Sequence, residues 1–374
     1  MKSVVIAGYA RSPFTPAKKG ELATVRPDEL AAQVVRELVR RTGVVPEDIE
    51  DLLLGCAFPE GEQGLNMARL VALQAELPIS VAGVTINRFC GSSMQSVHSA
   101  AGAIQLGAGE AFICAGVESM SRVPMMGYNP LPHPGFYAKM PGAYLGMGDT
   151  AENVARQWGI ARSEQEAFAV ESHKRAAAAQ AAGRLADEIV AIGTVERDGC
   201  IRPETTAQGL AELKPAFDQN GTVTAGTSSP LTDGAAALLV CSEDYARKHG
   251  LEPLARLRSV AVAGCAPEIM GIGPVAATKK ALSRAGIEAA ALDVIELNEA
   301  FASQSIACMR DLGLSADQVN LDGGAIALGH PLGATGARIV GKAASLLKRE
   351  KGKYALATQC IGGGQGIATI LEAM

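Results

Sequence analysis

The chain reads as an α/β protein written twice, with an irregular segment inserted between the copies. Three observations predict this. Amphipathic helices alternate with short apolar strands, one helix–strand stretch recurs in register near both ends, and the stretch between them changes texture. Residues 30–58, LAAQVVRELVRRTGVVPEDIEDLLLGCAF, and residues 273–301, GPVAATKKALSRAGIEAAALDVIELNEAF, follow one plan. Each gives a helix, a glycine stop (Gly43 and Gly286), a short linker and an apolar strand ending in Ala-Phe. Gly43 to Phe58 and Gly286 to Phe301 span the same distance, so the repeat holds without a gap. A second unit recurs as well. VTINRFCGSSMQSVHSAAGAIQLG precedes AFICAGVES, and VNLDGGAIALGHPLGATGARIVGKAASLLK precedes KYALATQCIGGG. Both read as strand, small-residue turn, helix and strand. This alternation predicts mainly parallel sheets covered on both faces, and the duplication predicts a pseudo-twofold that brings equivalent loops together.

Three regions follow. Residues 1–118 with 230–248 make an N-terminal half, 119–229 a loop domain, and 249–374 a C-terminal half. The inserted region opens with MSRVPMMGYNPLPHPGFYAKMPGAY, rich in Met, Pro and Gly, and continues into the helical SEQEAFAVESHKRAAAAQAAG. So long an irregular connection predicts a cover over a binding site. The stretch TAGTSSPLTDGAAALLVCSED then returns to strand-like core sequence and completes the first half.

Composition narrows the function classes. At 374 residues the chain is long enough for a sizeable core, and 48% hydrophobic with 20% charged residues is ordinary for a globular protein. Aromatics are only 4% and the net charge is −5, which argues against a nucleic-acid partner. The eight cysteines are scattered and form no CxxC pair, so neither a metal site nor a disulfide scaffold is expected. A reducing, cytoplasmic setting fits that usage. The N-terminal MKSVVIAGYARSPF reads as a first strand rather than a signal peptide, and no apolar run is long enough to predict a membrane span.

Chemistry concentrates at the strand–helix junctions. Val84, Thr85 and Ile86 suit a strand, and Cys90, Gly91, Ser92 and Ser93 stand where the next helix begins. A cysteine there meets unpaired N–H groups and the positive end of a dipole, which favours a thiolate. The alternative is a small buried cysteine filling a tight turn. In the second copy His330 falls in a broadly similar place, among Gly323, Gly324, Gly329, Gly333 and Gly336, where a backbone or ligand can come close. The alternative there is a glycine-rich turn with a capping His. Cys360 precedes Gly362, Gly363 and Gly364, whose free N–H groups could hold an oxyanion. The same turn lacks the Lys-Ser/Thr of a P-loop, so nucleotide cradling is not expected. Asn298 and Glu299 end an apolar strand and must either find partners or do chemistry. A cysteine nucleophile with a His base suits acyl-enzyme chemistry. A second thiol, with an ordinary pKa near ~8.5, can exchange protons with a carbon acid or its enolate. Hydrolysis has no use for it, whereas making or breaking a carbon–carbon bond beside a thioester does.

NRFCGSSMQSV, VTAGTSSPLTDGAAA, NEAFA, GGAIALGHPLGATGAR and CIGGGQG together resemble, in order and across essentially the whole chain, the signature segments of the thiolase family. The resemblance implies a five-layered αβαβα fold of two similar halves plus a loop domain. It also implies cleavage of 3-ketoacyl-CoA by free CoA, or the reverse Claisen condensation. Cys90 would attack the 3-keto carbon and carry the acyl group. His330 would take its proton and later activate the CoA thiol. Cys360 would protonate the departing enolate. Asn298, through a water and with His330, would form one oxyanion hole, and the N–H groups of Cys90 and Gly362 the other.

Coenzyme A enters as substrate, with no permanently bound cofactor. The family pattern assigns it Arg202 near the nucleotide end, Phe217 near the adenine, Ala225 and Ser229 along the pantetheine, and Met147, Met270, Ala300 and Phe301 as tunnel walls. For these residues the alternative is a solvated Arg and ordinary core side chains. Homodimers or homotetramers are implied, and some members join a β-oxidation complex. TSSPLTDGAAA, RPETT at 202–206 and NRFCGSSMQ look more like degradative 3-ketoacyl-CoA thiolases than biosynthetic acetoacetyl-CoA thiolases, and the Pro- and Met-rich MMGYNPLPHPG points the same way. Gly146 stands where many short-chain members carry His, which leaves the acyl-chain preference open. A non-catalytic CoA or lipid carrier would have little reason to keep Cys90, His330 and Cys360 together. A decarboxylating ketoacyl synthase typically pairs its cysteine with two histidines.

Overall fold

The computed structural model describes residues 2–374. Its strands are β1 (Val4–Arg11), β2 (Thr15–Pro16), β3 (Ile49–Gly55), β4 (Ala82–Ile86), β5 (Ala111–Ser119), β6 (Thr232–Ser242), β7 (Ala255–Gly264), β8 (Val294–Leu297), β9 (Tyr354–Ile361) and β10 (Gln365–Glu372). The helices are α1 (Pro27–Thr42), α2 (Met67–Gln74), α3 (Ser92–Leu106), α4 (Pro134–Lys139), α5 (Met147–Gln157), α6 (Arg162–Ala181), α7 (Ala207–Ala211), α8 (Glu243–Lys248), α9 (Gly273–Ala285), α10 (Ala302–Leu312), α11 (Ala325–Leu328) and α12 (Leu332–Arg349). None of them is long and apolar enough to cross a membrane.

The strands run in the order β4-β3-β5-β6-β1-β7-β10-β9-β8, with β2 on β6. Two half-sheets are visible in that order, joined where β1 meets β7 through only two residue pairs, Val5 with Arg256 and Ile6 with Ala255. The expectation of mainly parallel sheets is corrected here. Only β3 with β4, β3 with β5, and β8 with β9 pair parallel, and the remaining ladders are antiparallel. The misreading has a physical cause. Strands β1 and β6 are buried along their whole length, because helices cover both faces, so they lose the alternation that marks an antiparallel strand with one wet face.

The repeat seen in the sequence is a repeat of local structure. Helices α1 and α9 both begin with a proline in the first turn and both stop at a left-handed glycine, Gly43 at φ 67° and Gly286 at φ 71°. Helices α1 and α2 cover the outer face of the first half-sheet, and α9 covers that of the second with α10 beside it. Between the half-sheets lie α3 and α12, whose apolar faces share one core with Ile6, Leu238, Val294 and Ala357. That gives five layers, helix–sheet–helix–sheet–helix. The two central helices pass at near backbone contact: a Cβ placed on Gly336 of α12 would lie 2.2 Å from the Met94 nitrogen of α3. The Ala337 N–H also donates to Ser93 Oγ at 2.8 Å, pinning one helix on the other near their first turns.

Candidate active site

Both central helices start at the same end of the molecule, and each start carries one chemical group. Cys90 lies two residues before α3, whose N-cap is Gly91. The turn is tight enough to force the preceding Phe89 to a φ of 42°, a region that side-chain-bearing residues rarely adopt. His330 lies two residues before α12, after the short helix α11 and Gly329 at φ 104°. Cys360 comes from β9, and Gly362 from the hairpin that follows, where Gly363 and Gly364 take φ values of 80° and 86°.

These groups converge. The Gly362 N–H lies close enough to the Cys90 sulfur to favour its charged form, and Cys90 and Cys360 lie within electrostatic range of each other. The Nδ2 of Asn298 is 3.3 Å from His330 Nε2. On the other side of the ring, Nδ1 is 2.6 Å from Thr335 Oγ1, which also lies 3.1 Å from the Pro331 carbonyl. That geometry assigns the tautomer. The Thr335 hydroxyl donates to Pro331 and accepts the Nδ1 proton, so Nε2 keeps its lone pair and accepts from Asn298. The imidazole is held as a neutral base with Nε2 facing the site. Asn298 Oδ1 is buried without a hydrogen-bond partner, one acceptor left for a ligand or water.

Burial sets the protonation states. It pushes the Cys90 thiol up to about 11, against the pull of the Gly362 and Cys90 N–H groups, and it drives Cys360 well above the ordinary thiol range. It drops His330 to about 3, with the Arg338 charge acting in the same direction. The thiolate expected from the helix start is therefore corrected: desolvation outweighs the dipole and the two donors. The resting pair is a neutral thiol and a neutral imidazole.

Several proposed CoA contacts share the neighbourhood. Cys360 packs in one cluster with Met270, Ala300, Phe301 and Met147. A Cβ on Gly362 would touch Met147 Sδ at 3.5 Å and Phe89 at 3.6 Å, so these two side chains flank the hairpin turn. Phe217 meets Phe301 edge-to-face at 6.0 Å and presses on Gly148 of α5. Ser229 is tied to the Ala300 carbonyl through its N–H at 3.0 Å and its Oγ at 3.1 Å. Ala225 is exposed on the turn beside Thr224, which bridges to Pro215. Arg202 is exposed, and among the described residues its guanidinium makes no ion pair and touches no other member of the set. Glu299, paired with Asn298 in the sequence reading, turns out to be fully occupied by Ser172, Asn320 and the Ile326 N–H, so it is structural.

Comparison with known proteins fits this arrangement. The family model for the thiolase N-terminal domain matches residues 4–244, and that for the thiolase C-terminal domain matches 251–373. The chain belongs to the thiolase family. A 3-ketoacyl-CoA thiolase of Bacillus subtilis (strain 168) is 47% identical over 389 residues, and one of Shewanella frigidimarina is 50% identical over 386, each alignment covering all of both chains. The crystal structure of human mitochondrial 3-ketoacyl-CoA thiolase superposes with a TM-score of 0.92 at 37% identity, covering 100% of this chain and 99% of that one.

Two residues of this thiolase site escaped the sequence reading. Thr335 looks like an ordinary helical threonine, and only its position five residues after His330, one turn into α12, hints at its bond to the ring. Gln359 donates to the Cys90 carbonyl and so ties the Cys90 backbone to the strand that carries Cys360. Nothing local in ATQC announces that contact.

Proposed function

We propose that this thiolase cleaves 3-ketoacyl-CoA with free CoA, giving acetyl-CoA and an acyl-CoA shortened by two carbons, through an acyl-Cys90 intermediate. The supporting observation is that Gln359, the neighbour of Cys360, donates to the Cys90 carbonyl, which ties the strand of the second thiol to the turn of the first. Cys90 sulfur attacks C3 of the substrate as its proton passes to His330 Nε2. The C2–C3 bond breaks, and Cys360 gives its proton to the acetyl-CoA enolate. The His330 imidazolium returns its proton to the Cys360 thiolate. The neutral ring then takes the proton of an incoming CoA thiol, whose sulfur displaces the acyl group from Cys90. The released Cys90 thiolate takes that proton back from His330. Negative charge develops on oxygen in each step, and donors fixed in advance at Cys90, Gly362 and, through a water, Asn298 lower those barriers.

In this reading Met147, Met270, Ala300 and Phe301 line the acyl and pantetheine path, with Ala225, Ser229, Phe217 and Arg202 progressively nearer the nucleotide. Residues 119–229 act as the loop domain over that path, between halves formed by 1–118 with 230–248 and by 249–374. A role in fatty-acid β-oxidation in the cytoplasm follows from the same reading. Assembly as a homodimer or homotetramer is supported by the edge strand β4, which is only half-buried, and by exposed Leu65, Ile79 and Leu106. Thiolysis rates for acetoacetyl-CoA and 3-ketohexadecanoyl-CoA test the substrate range. Turnover of both is expected, and strict confinement to the four-carbon substrate rejects the degradative reading in favour of a biosynthetic acetoacetyl-CoA thiolase.

A further inference from the structure

Glu118, near the end of β5, is 1% exposed and carries no role in the mechanism above. A carboxylate withdrawn from water needs several donors, and this one has them from three directions. The Ala57 and Phe58 N–H groups donate at 2.8 and 3.2 Å, Gln63 Nε2 at 2.8 Å, and the Gly333 N–H at 2.9 Å. Gly333 is the second residue of α12, so the carboxylate sits on the positive end of the helix that follows His330. The Ala57–Phe58 turn belongs to the other half, and Ala57 packs in one small cluster with Cys90, Met120 and Leu332. One side chain therefore joins the base-bearing helix to the wall of the nucleophile.

We propose that Glu118 is a positioning residue for the Cys90–His330 pair, holding the start of α12 against the 57–58 turn and keeping a carboxylate behind the wall on which the thiol packs. The proposal rests on the roles assigned to Cys90 and His330 above. Cys90 packs on Ala57, whose N–H donates to Glu118, and it feels the charges of Glu118 from β5 and of Cys360 from β9, while Glu118 itself meets Cys56 Sγ at 3.8 Å. Burial raises the pKa of Glu118 while its four donors lower it. A carboxylate kept charged behind that wall favours the protonated sulfur, so the thiol gives up its proton only as the keto carbon arrives.

The charge and the tether can be separated by two substitutions. Glu118→Gln keeps the shape and removes the charge. Glu118→Asp keeps the charge and shortens the reach. The measurement is the pH dependence of Cys90 alkylation by iodoacetamide, followed by intact mass, alongside steady-state thiolysis of acetoacetyl-CoA. E118Q is expected to move the alkylation midpoint down by about half a pH unit or more while kcat falls about tenfold. A thiol that alkylates more readily yet turns over more slowly is a signature that general destabilisation does not produce. E118D is expected to lose about tenfold in kcat with KM and midpoint near wild type. A folded E118Q whose midpoint equals that of wild type overturns the proposal. If E118Q shows no cooperative melt, E118D decides: wild-type kcat overturns the proposal, and a kcat loss at constant KM upholds it. Wild-type enzyme that is not alkylated at Cys90, or a Cys90→Ala variant that stays active, defeats the mechanism itself and is distinguishable from either result.

Discussion

Cys90 and His330 hold matching places in the two halves. The first follows β4, which pairs parallel with β3; the second follows Val319, which bridges parallel to Ile295 of β8. Each is then followed within two residues by a central helix. Glu118 and Cys360 match in the same way, each one residue short of the last pair of its antiparallel ladder, Ser119 with Asp233 and Ile361 with Gln365. Yet the four residues differ in kind: thiol against imidazole, carboxylate against thiol. The comparison teaches that duplication supplied the geometry and single residues supplied the chemistry. On the proposed mechanism neither half owns a nucleophile and a base together, and the reaction needs the place where the helix starts meet.

The sharpest test of that division exchanges the two sulfurs' fates. Cys90→Ala is expected to abolish acyl-enzyme formation and to cost roughly 10⁴-fold or more in turnover. Cys360→Ala is expected to form the acetyl-enzyme from acetyl-CoA, visible by intact mass, while thiolysis falls by about 10²- to 10⁴-fold. Near-normal thiolysis by that variant removes Cys360 from the mechanism.

A smaller effect should follow from loosening the imidazole's two contacts. Asn298→Ala removes the donor on Nε2, with an expected kcat loss of about 10²- to 10³-fold. Thr335→Val keeps the shape but leaves the Nδ1 proton without an acceptor, so about a tenfold loss in kcat at unchanged KM is expected. If the valine variant costs more than the alanine, the tautomer assigned to His330 is wrong.

The smallest effect is on stability. Folded His330 titrates near 3 because of burial, whereas an unfolded histidine does so near ~6.5. The unfolded chain therefore binds a proton that the folded chain refuses. Stability is lost as pH falls below that unfolded value, and the loss continues down to the folded one, at up to about 1.4 kcal/mol per pH unit from this residue. Chemical denaturation at pH 6 and pH 4 should show a gentler decline for His330→Gln than for wild type, and equal slopes would contradict a neutral buried ring.

Much of this molecule is legible from its residues. The glycine stops at 43 and 286, the repeated helix–strand spacing and the cysteine at a helix start are local signals, and local signals survive without a structure. Strand direction did not survive, because a strand sandwiched between helix layers, such as β6, shows an unbroken apolar run whichever way its neighbours point. The thiol's charge state was misread because a dipole is local and burial is not. Glu118 was invisible for a similar reason: its partners lie 55 to 215 residues away, from Gln63 to Gly333. A glutamate inside AGVESM carries no mark of them.

The near-touching backbones at Gly336 and Met94 have one more bearing. Where two helices are separated by side chains, their gap can breathe as residues are exchanged over generations. Where they meet main chain to main chain, it has a hard stop, and here that stop fixes how far apart the sulfur and the ring can be carried. Phe217 against Gly148 of α5 is by contrast a side-chain contact, so that wall can be exchanged without moving the two helix starts apart.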